Sequence, residues 1–199
     1  MGYGDLDMRL VGIFIFLLLV GSFSCTNSAS SISALHEESE SIVQDSVMIP
    51  ALNLQIIDTV VEYGPKISPT YKKAVCTELL IPIIEKFHKL NKADKNRIRI
   101  ITTENIQDLL KKDSPVPKGV YYALLEKGIG EPVDSVQDVM PGDFVQFWTE
   151  TWGHCGIVKS VDLENNTMDM YSSFPSTDGY GIQRFRITEY CFFVRLRER

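Results

Sequence analysis

Apolar residues run along this chain in blocks whose spacing changes from one end to the other. The first block, residues 10–20 (LVGIFIFLLLV), carries no charge and is shorter than the roughly 20 residues a helix needs to span a bilayer. Residues 26–46 are polar and rich in Ser and Glu, a composition that buries too little apolar surface to fold alone and predicts a flexible tether over 26–48. Between residues 49 and 63 apolar positions return at mixed spacing, as in a short helix or an approach strand. Gly64-Pro65 and Ser68-Pro69 then break the chain. In residues 70–90, Val75, Leu79, Leu80, Ile83, Ile84 and Phe87 recur at helical spacing, with Pro82 predicting a kink or the start of a second helix.

A charged turn over 91–97 follows, then a segment that alternates in its first half and is helical in its second, ended by Asp113-Ser114-Pro115. Residues 118–127 predict another helix, closed by Gly128 and Gly130. From Met140 onward strand patterns dominate, over 144–148, 156–161, 167–172, 181–187 and 192–196, with Glu164-Asn165-Asn166 and Asp178-Gly179 as turns. Helices first and a meandering antiparallel sheet second predict an α+β domain over 49–199.

Composition narrows the picture in two ways. The formal net charge of −6 gives no field that would gather nucleic acid, and the basic clusters Lys72-Lys73 and 195–199 are short enough to be solvated surface. The first apolar block has the layout of a signal peptide over 1–25: Arg9 before it, then Gly21-Ser22-Phe23-Ser24-Cys25 after it. Asp5 and Asp7 precede it, and a start at Met8 would give a tidier leader. Cys25 directly after the small residues resembles a bacterial lipobox, although Ser22 stands where Leu is usual and Phe23 is bulky. That resemblance implies a thiol acylated and anchored in a membrane; plain secretion is the alternative. The spacing of Cys25, Cys76, Cys155 and Cys191 fits neither a zinc site nor a disulfide scaffold. Cys155 and Cys191 would bridge if their strands were neighbours; two buried apolar thiols is the simpler reading.

Candidate chemistry centres on Cys76, where an amphipathic helix is predicted to begin. A thiol there feels the positive end of the helix dipole, which lowers its pKa, and the nearby N–H groups can hold an oxyanion. Thiolate chemistry also needs an imidazole. His36 falls in the tether and His88 at a helix C-terminus, where a structural role suffices. His154 lies in the strand-rich half, in Trp152-Gly153-His154-Cys155-Gly156-Ile157-Val158, with two glycines expected to leave open space beside the ring.

Taken in order, Cys76-Thr77-Glu78-Leu79-Leu80, Met140-Pro141-Gly142-Asp143-Phe144-Val145-Gln146-Phe147-Trp148 and Gly153-His154-Cys155-Gly156-Ile157-Val158 resemble the papain-like NlpC/P60 and CHAP families of peptidoglycan hydrolases. Those families place a cysteine at a helix N-terminus, then a Pro-Gly-Asp turn and strand, then Gly-His and another strand. The resemblance spans residues 71–197, with Val-Cys-Thr-Glu replacing the usual Asp-Cys-Ser-Gly. It implies Cys76 as nucleophile, His154 as base, a peptide or peptidoglycan substrate in a bacterial cell envelope, and no metal or cofactor. It also implies a third polar residue on the next strand, and alternation puts Ser172 there, with Tyr171 or Ser173 if the register shifts. None of these is the His, Asn or acid usual at that place. Tyr71, Trp148 and Trp152 are candidates for lining a substrate cleft, with Tyr171 and Tyr180 nearby, and core or rim packing is the other reading. Residues 179–181 read as a mobile or tightly turned loop near the site. Two rivals use the same residues differently: a thiol acyltransferase or amidase on another small amide, and a catalytically idle envelope-binding module.

Overall fold

A computed structural model describes residues 48–198; the predicted leader with Cys25, and His36 in the predicted tether, lie outside the described residues. Five helices, α1 (Ala51–Ile67), α2 (Cys76–Glu85), α3 (Lys92–Ile98), α4 (Ile106–Lys111) and α5 (Gly119–Glu126), precede six strands. The strands are β1 (Gly130–Val133), β2 (Phe144–Trp148), β3 (Gly153–Asp162), β4 (Thr167–Phe174), β5 (Gly179–Arg186) and β6 (Tyr190–Leu196). They form one antiparallel sheet in the order β1-β6-β2-β3-β4-β5, so β2 to β5 meander and β6 crosses back to the other side of β2. The protein is α+β, as the pattern predicts.

Packing overrides several local signals. Leu52, Ile56 and Val60 bury one face of α1 against the sheet, and the helix runs on through Gly64-Pro65 to Ile67 instead of breaking there. Gly64 is needed for contact rather than for a turn: a Cβ on it would lie 2.3 Å from the Tyr180 ring. In α2, Pro82 removes one backbone bond, yet Leu79, Leu80, Ile83 and Ile84 are fully buried around it and the helix continues. The predicted charged turn is α3. Asn91 and Asp94 form a reciprocal capping box at 3.0 and 2.8 Å, and Lys127 at the end of α5 reaches Asp94 at 2.7 Å. The alternation after it builds no strand, because Ile98 ends α3 and Ile100 turns the chain with φ of 56°.

Two apolar clusters lie on opposite faces of the sheet. Phe144, Cys155, Ile157, Tyr171 and Val194 pack against α1, α2 and α5. Val145, Phe147, Val158, Met168, Met170 and Phe193 fill the other face. The sheet is strongly curled around this second cluster. Phe147 on β2 and Phe185 on β5 have ring centroids 5.2 Å apart although β3 and β4 lie between their strands. In a flat sheet three strand spacings would separate them by about 14 Å. Met168, Met170 and Ser172 alternate onto the face away from the helices, and Tyr171 packs on the helix side. Residues 179–181 belong to β5, not to a loop. Cys155 and Cys191 cannot bridge: β2 separates their strands, and their registers against β2 put them on opposite faces.

One buried carboxylate ties the layers together. Asp143, wholly shielded, closes the Pro-Gly-Asp turn by accepting from the Met140 N–H at 2.8 Å. It also accepts from Asn53 of α1 at 2.9 Å and from Arg195 of β6 at 2.8 and 2.7 Å. Removing it strands a partly buried guanidinium. Asp143→Ala is expected to cost roughly 3–5 kcal/mol in urea unfolding, and a loss below about 1 kcal/mol, the level of an exposed pair, would show that the brace is dispensable.

Candidate active site

The nucleophile's position is set before its helix begins. Ser68 and Ser173, both buried and 105 residues apart, converge with the Ala74 carbonyl: Ser68 Oγ lies 2.7 Å from both the carbonyl and Ser173 Oγ, and Ser173 Oγ lies 2.5 Å from the carbonyl. Two hydroxyl protons thus serve three oxygens and fix the chain two residues ahead of Cys76. The Tyr180 N–H donates to the Ser68 carbonyl at 2.9 Å, fastening the same segment to β5. Val75 then caps α2 in extended conformation with no side-chain hydrogen bond, which leaves the first-turn N–H groups without a capping side chain. Cys76 is the first residue of that turn. Glu78, in the same turn, is held by a two-bond pair with Arg99 at 2.6 and 3.0 Å, which lowers its pKa.

Two consecutive residues of β3 serve the thiol. Cys155 pairs with Gln146 and faces the helix layer, where Cys76 packs beside it. His154 pairs with Phe147, so pleat alternation turns it to the other face; it is the second residue of the strand, and it lines the same cleft as Cys76. The Cys76 thiol is held well below the ordinary thiol range. The largest cause is the hydrogen bond from the Cys155 thiol; His154 adds a hydrogen bond and its charge, the Cys155 backbone adds another bond, and burial opposes them. The Cys155 thiol is pushed well up by that same bond to Cys76, by full burial and by the thiolate's charge. The two directions favour the negative charge on Cys76 over Cys155.

The imidazole is enclosed by aromatic rings. Phe174, Phe185, Phe147 and Trp152 lie with centroids 4.9, 5.3, 5.9 and 6.4 Å from that of His154. Its Nε2 is buried and has no hydrogen-bond partner among the described residues. Ser172 does not fill the third role: it shares the ring's face of the sheet, but its hydroxyl is donated to Gln183 Oε1. Ser173 holds the Ala74 carbonyl, and Tyr171 stacks on Tyr180. Among the described residues no acid or amide orients the ring; four aromatics do so by contact. Nor do the flanking glycines leave open space. A Cβ on Gly153 would meet the Trp148 ring at 2.3 Å, and one on Gly156 would meet Met170 at 2.2 Å.

Cys76, Cys155 and His154 line one cleft of about 370 Å³. Tyr71 and Trp148 line it too, as expected, and the Trp148 indole N–H is fixed on the Pro117 carbonyl at 2.7 Å. The Tyr71 phenol is raised by burial first and then by its proximity to Cys76 and Cys155. Trp152 is not part of the cleft wall; it covers the imidazole from the other side. Several lining residues had no sequence signal, and three of them shape the cleft near the thiols. Arg99 and Ile100 enter from the end of α3, Ile100 in a left-handed conformation rare for a β-branched residue, and Gln146 from β2. The Gln146 Nε2 donates to the His154 carbonyl at 3.0 Å while its Oε1 is buried without a partner. Among the described residues no group of three or more His, Cys, Asp or Glu side chains is placed to hold a metal ion.

The electrostatics give a pH test. A thiol whose folded pKa is lowered stays ionised below the ordinary thiol range and loses its charge only as pH falls through the lowered value. Alkylation of Cys76 by iodoacetamide should therefore show a midpoint below about 8.5, the value of a free thiol, and His154→Ala or Cys155→Ala should each move it upward. A midpoint at or above that of the urea-unfolded chain would overturn the assignment of the anion to Cys76. In comparison with known proteins, the sequence matches no protein-family model and no curated protein.

Proposed function

We propose that the chain is an exported cysteine hydrolase of the papain-like NlpC/P60 type that cleaves a peptide or amide bond in bacterial cell-wall peptidoglycan, its catalytic domain spanning residues 49–199. The observation that carries this reading is a thiol at an uncapped helix N-terminus, its pKa lowered, lining one cleft with His154 and Cys155. The Cys76 thiolate attacks the amide carbonyl carbon, and the developing oxyanion lies against the free N–H groups of the first turn of α2. The C–N bond breaks as imidazolium gives its proton to the leaving amine. Neutral imidazole then takes a proton from water, the hydroxide attacks the thioester carbonyl, and the thiolate leaves. No metal or cofactor enters any of these steps.

A second reading, an idle envelope-binding domain, draws on one observation: the buried Nε2 of His154 has no orienting acceptor. Digestion of purified muropeptides, followed by mass spectrometry, separates the two. The wild-type chain should release new fragments and Cys76→Ala none, while His154→Ala should slow release by roughly 10²–10⁴-fold, the usual contribution of a general acid–base. Intact muropeptides after incubation with the wild-type chain would leave the idle domain standing. Transfer of the acyl group to an added amine in place of water would mark an acyltransferase instead.

The predicted leader supports a reading in which this chemistry takes place outside the cytoplasm. Among the described residues no helix is long and apolar enough to cross a membrane, so membrane attachment would rest on the N-terminus. Acylation at Cys25 predicts incorporation of a labelled fatty acid that disappears in Cys25→Ala; label retained in that variant would remove the lipid anchor from the proposal.

A further inference from the structure

The proposed reaction puts the acyl group on one thiol of the pair at the cleft floor, while the other only tunes it. Cys155 is 1% exposed, sits where a plain apolar residue would satisfy the core, and yet lies near enough to Cys76 for each thiol to shift the pKa of the other. Both side chains line the cleft, and Cys76 packs on the cluster to which Cys155 belongs. Of the other cysteines, Cys191 points to the opposite face of the sheet.

We infer that Cys155 is a resolving cysteine, and that Cys76 and Cys155 form a reversible disulfide when the cleft meets a peroxide. The chemistry balances in two steps. The Cys76 thiolate attacks one peroxide oxygen, the O–O bond breaks, and the hydroxide leaves, taking up a proton from solvent as water; Cys76 becomes the sulfenic acid. The Cys155 sulfur, giving up its proton, then attacks the Cys76 sulfur; the S–O bond breaks and the hydroxyl leaves with that proton as a second water. Two thiols are oxidised and one peroxide is reduced to two waters. The second step is intramolecular, and it requires the two sulfurs to close to about 2.05 Å. Peroxide reaches Cys76 from the cleft, whereas Cys155 is too buried to be oxidised first. The disulfide protects Cys76 from the irreversible sulfinic and sulfonic acids, a protection that matters most outside the reducing cytoplasm.

Formation of the bond depends only on the two sulfurs, while its effect on turnover rests on the hydrolase reading; peptide mapping keeps these apart. The full-length chain is treated with hydrogen peroxide, digested with trypsin without reduction, and analysed by mass spectrometry. The expected product joins peptide 74–86, which carries Cys76, to peptide 128–159, which carries Cys155, and is two hydrogens lighter than their sum. Dithiothreitol should restore iodoacetamide labelling of Cys76. In Cys155→Ala, and equally in Cys155→Val, the same treatment should leave Cys76 as sulfinic or sulfonic acid that dithiothreitol does not rescue. Sulfinic Cys76 in the wild-type chain, or a bridge to Cys191 or Cys25 instead, would overturn the inference, and neither result touches the muropeptide test.

Discussion

The candidate site depends on how one end of α2 is held over the first residues of β3. Helix and strand come from opposite halves of the chain, and nothing local aligns them. Their alignment rests on two kinds of contact. Buried Leu79, Leu80, Ile83 and Ile84 set the depth at which α2 lies on the sheet. The contact of Ser68 and Ser173 with the Ala74 carbonyl sets where the helix starts along its own axis. The first kind is non-directional and would tolerate sliding. The second is directional and buried, and it fails if the carbonyl shifts by much more than half an ångström. Together they convert a greasy docking into a defined sulfur position.

The parts of the fold that were legible in the sequence are those where local pattern and tertiary environment agree. β2 to β6 follow from apolar runs bounded by turn residues, and the order Cys76, Pro-Gly-Asp, Gly-His pairs two residues 78 positions apart. β1 was missed because it is a four-residue edge strand holding Gly130 and Pro132, a composition suited to an edge and to little else. α3 was missed because its stability comes from a capping box and from Lys127, with Ile98 its only buried apolar side chain. Gly64-Pro65 misled for the reverse reason: the contact with Tyr180, far away in the chain, outweighs a local breaker. Of the site itself, the thiol and the imidazole were legible, while Ser173, Gln146 and Ile100 were not, since their roles exist only after the sheet has curled.

The curl also bears on the missing third residue. A carboxylate or amide at Nε2 would fix the ring by one strong directional bond. Here the sheet brings Phe147, Phe174 and Phe185 from three strands, and Trp152 from the turn before β3, around the same ring. Rotation of the imidazole would have to displace several packed side chains, so its orientation is set by shape. Packing is less directional than a bond to a carboxylate, and it agrees with a design in which the imidazole is not the chief influence on the thiol.

The chief stabiliser is Cys155, and this choice has a chemical consequence. A donor on the thiolate raises the fraction ionised, but it also lowers the intrinsic reactivity of each anion; in thiol–disulfide exchange the exponent relating rate to basicity is about 0.4–0.5. Once the thiol is largely ionised at working pH, further stabilisation only slows attack. A weak S–H donor suits this balance better than a second cation would, because its hydrogen bond is easily released as charge moves from sulfur to the oxyanion. Pleat alternation makes the arrangement compact. Consecutive residues of β3 turn Cys155 to the helix face and His154 to the other, and both line one cleft with Cys76.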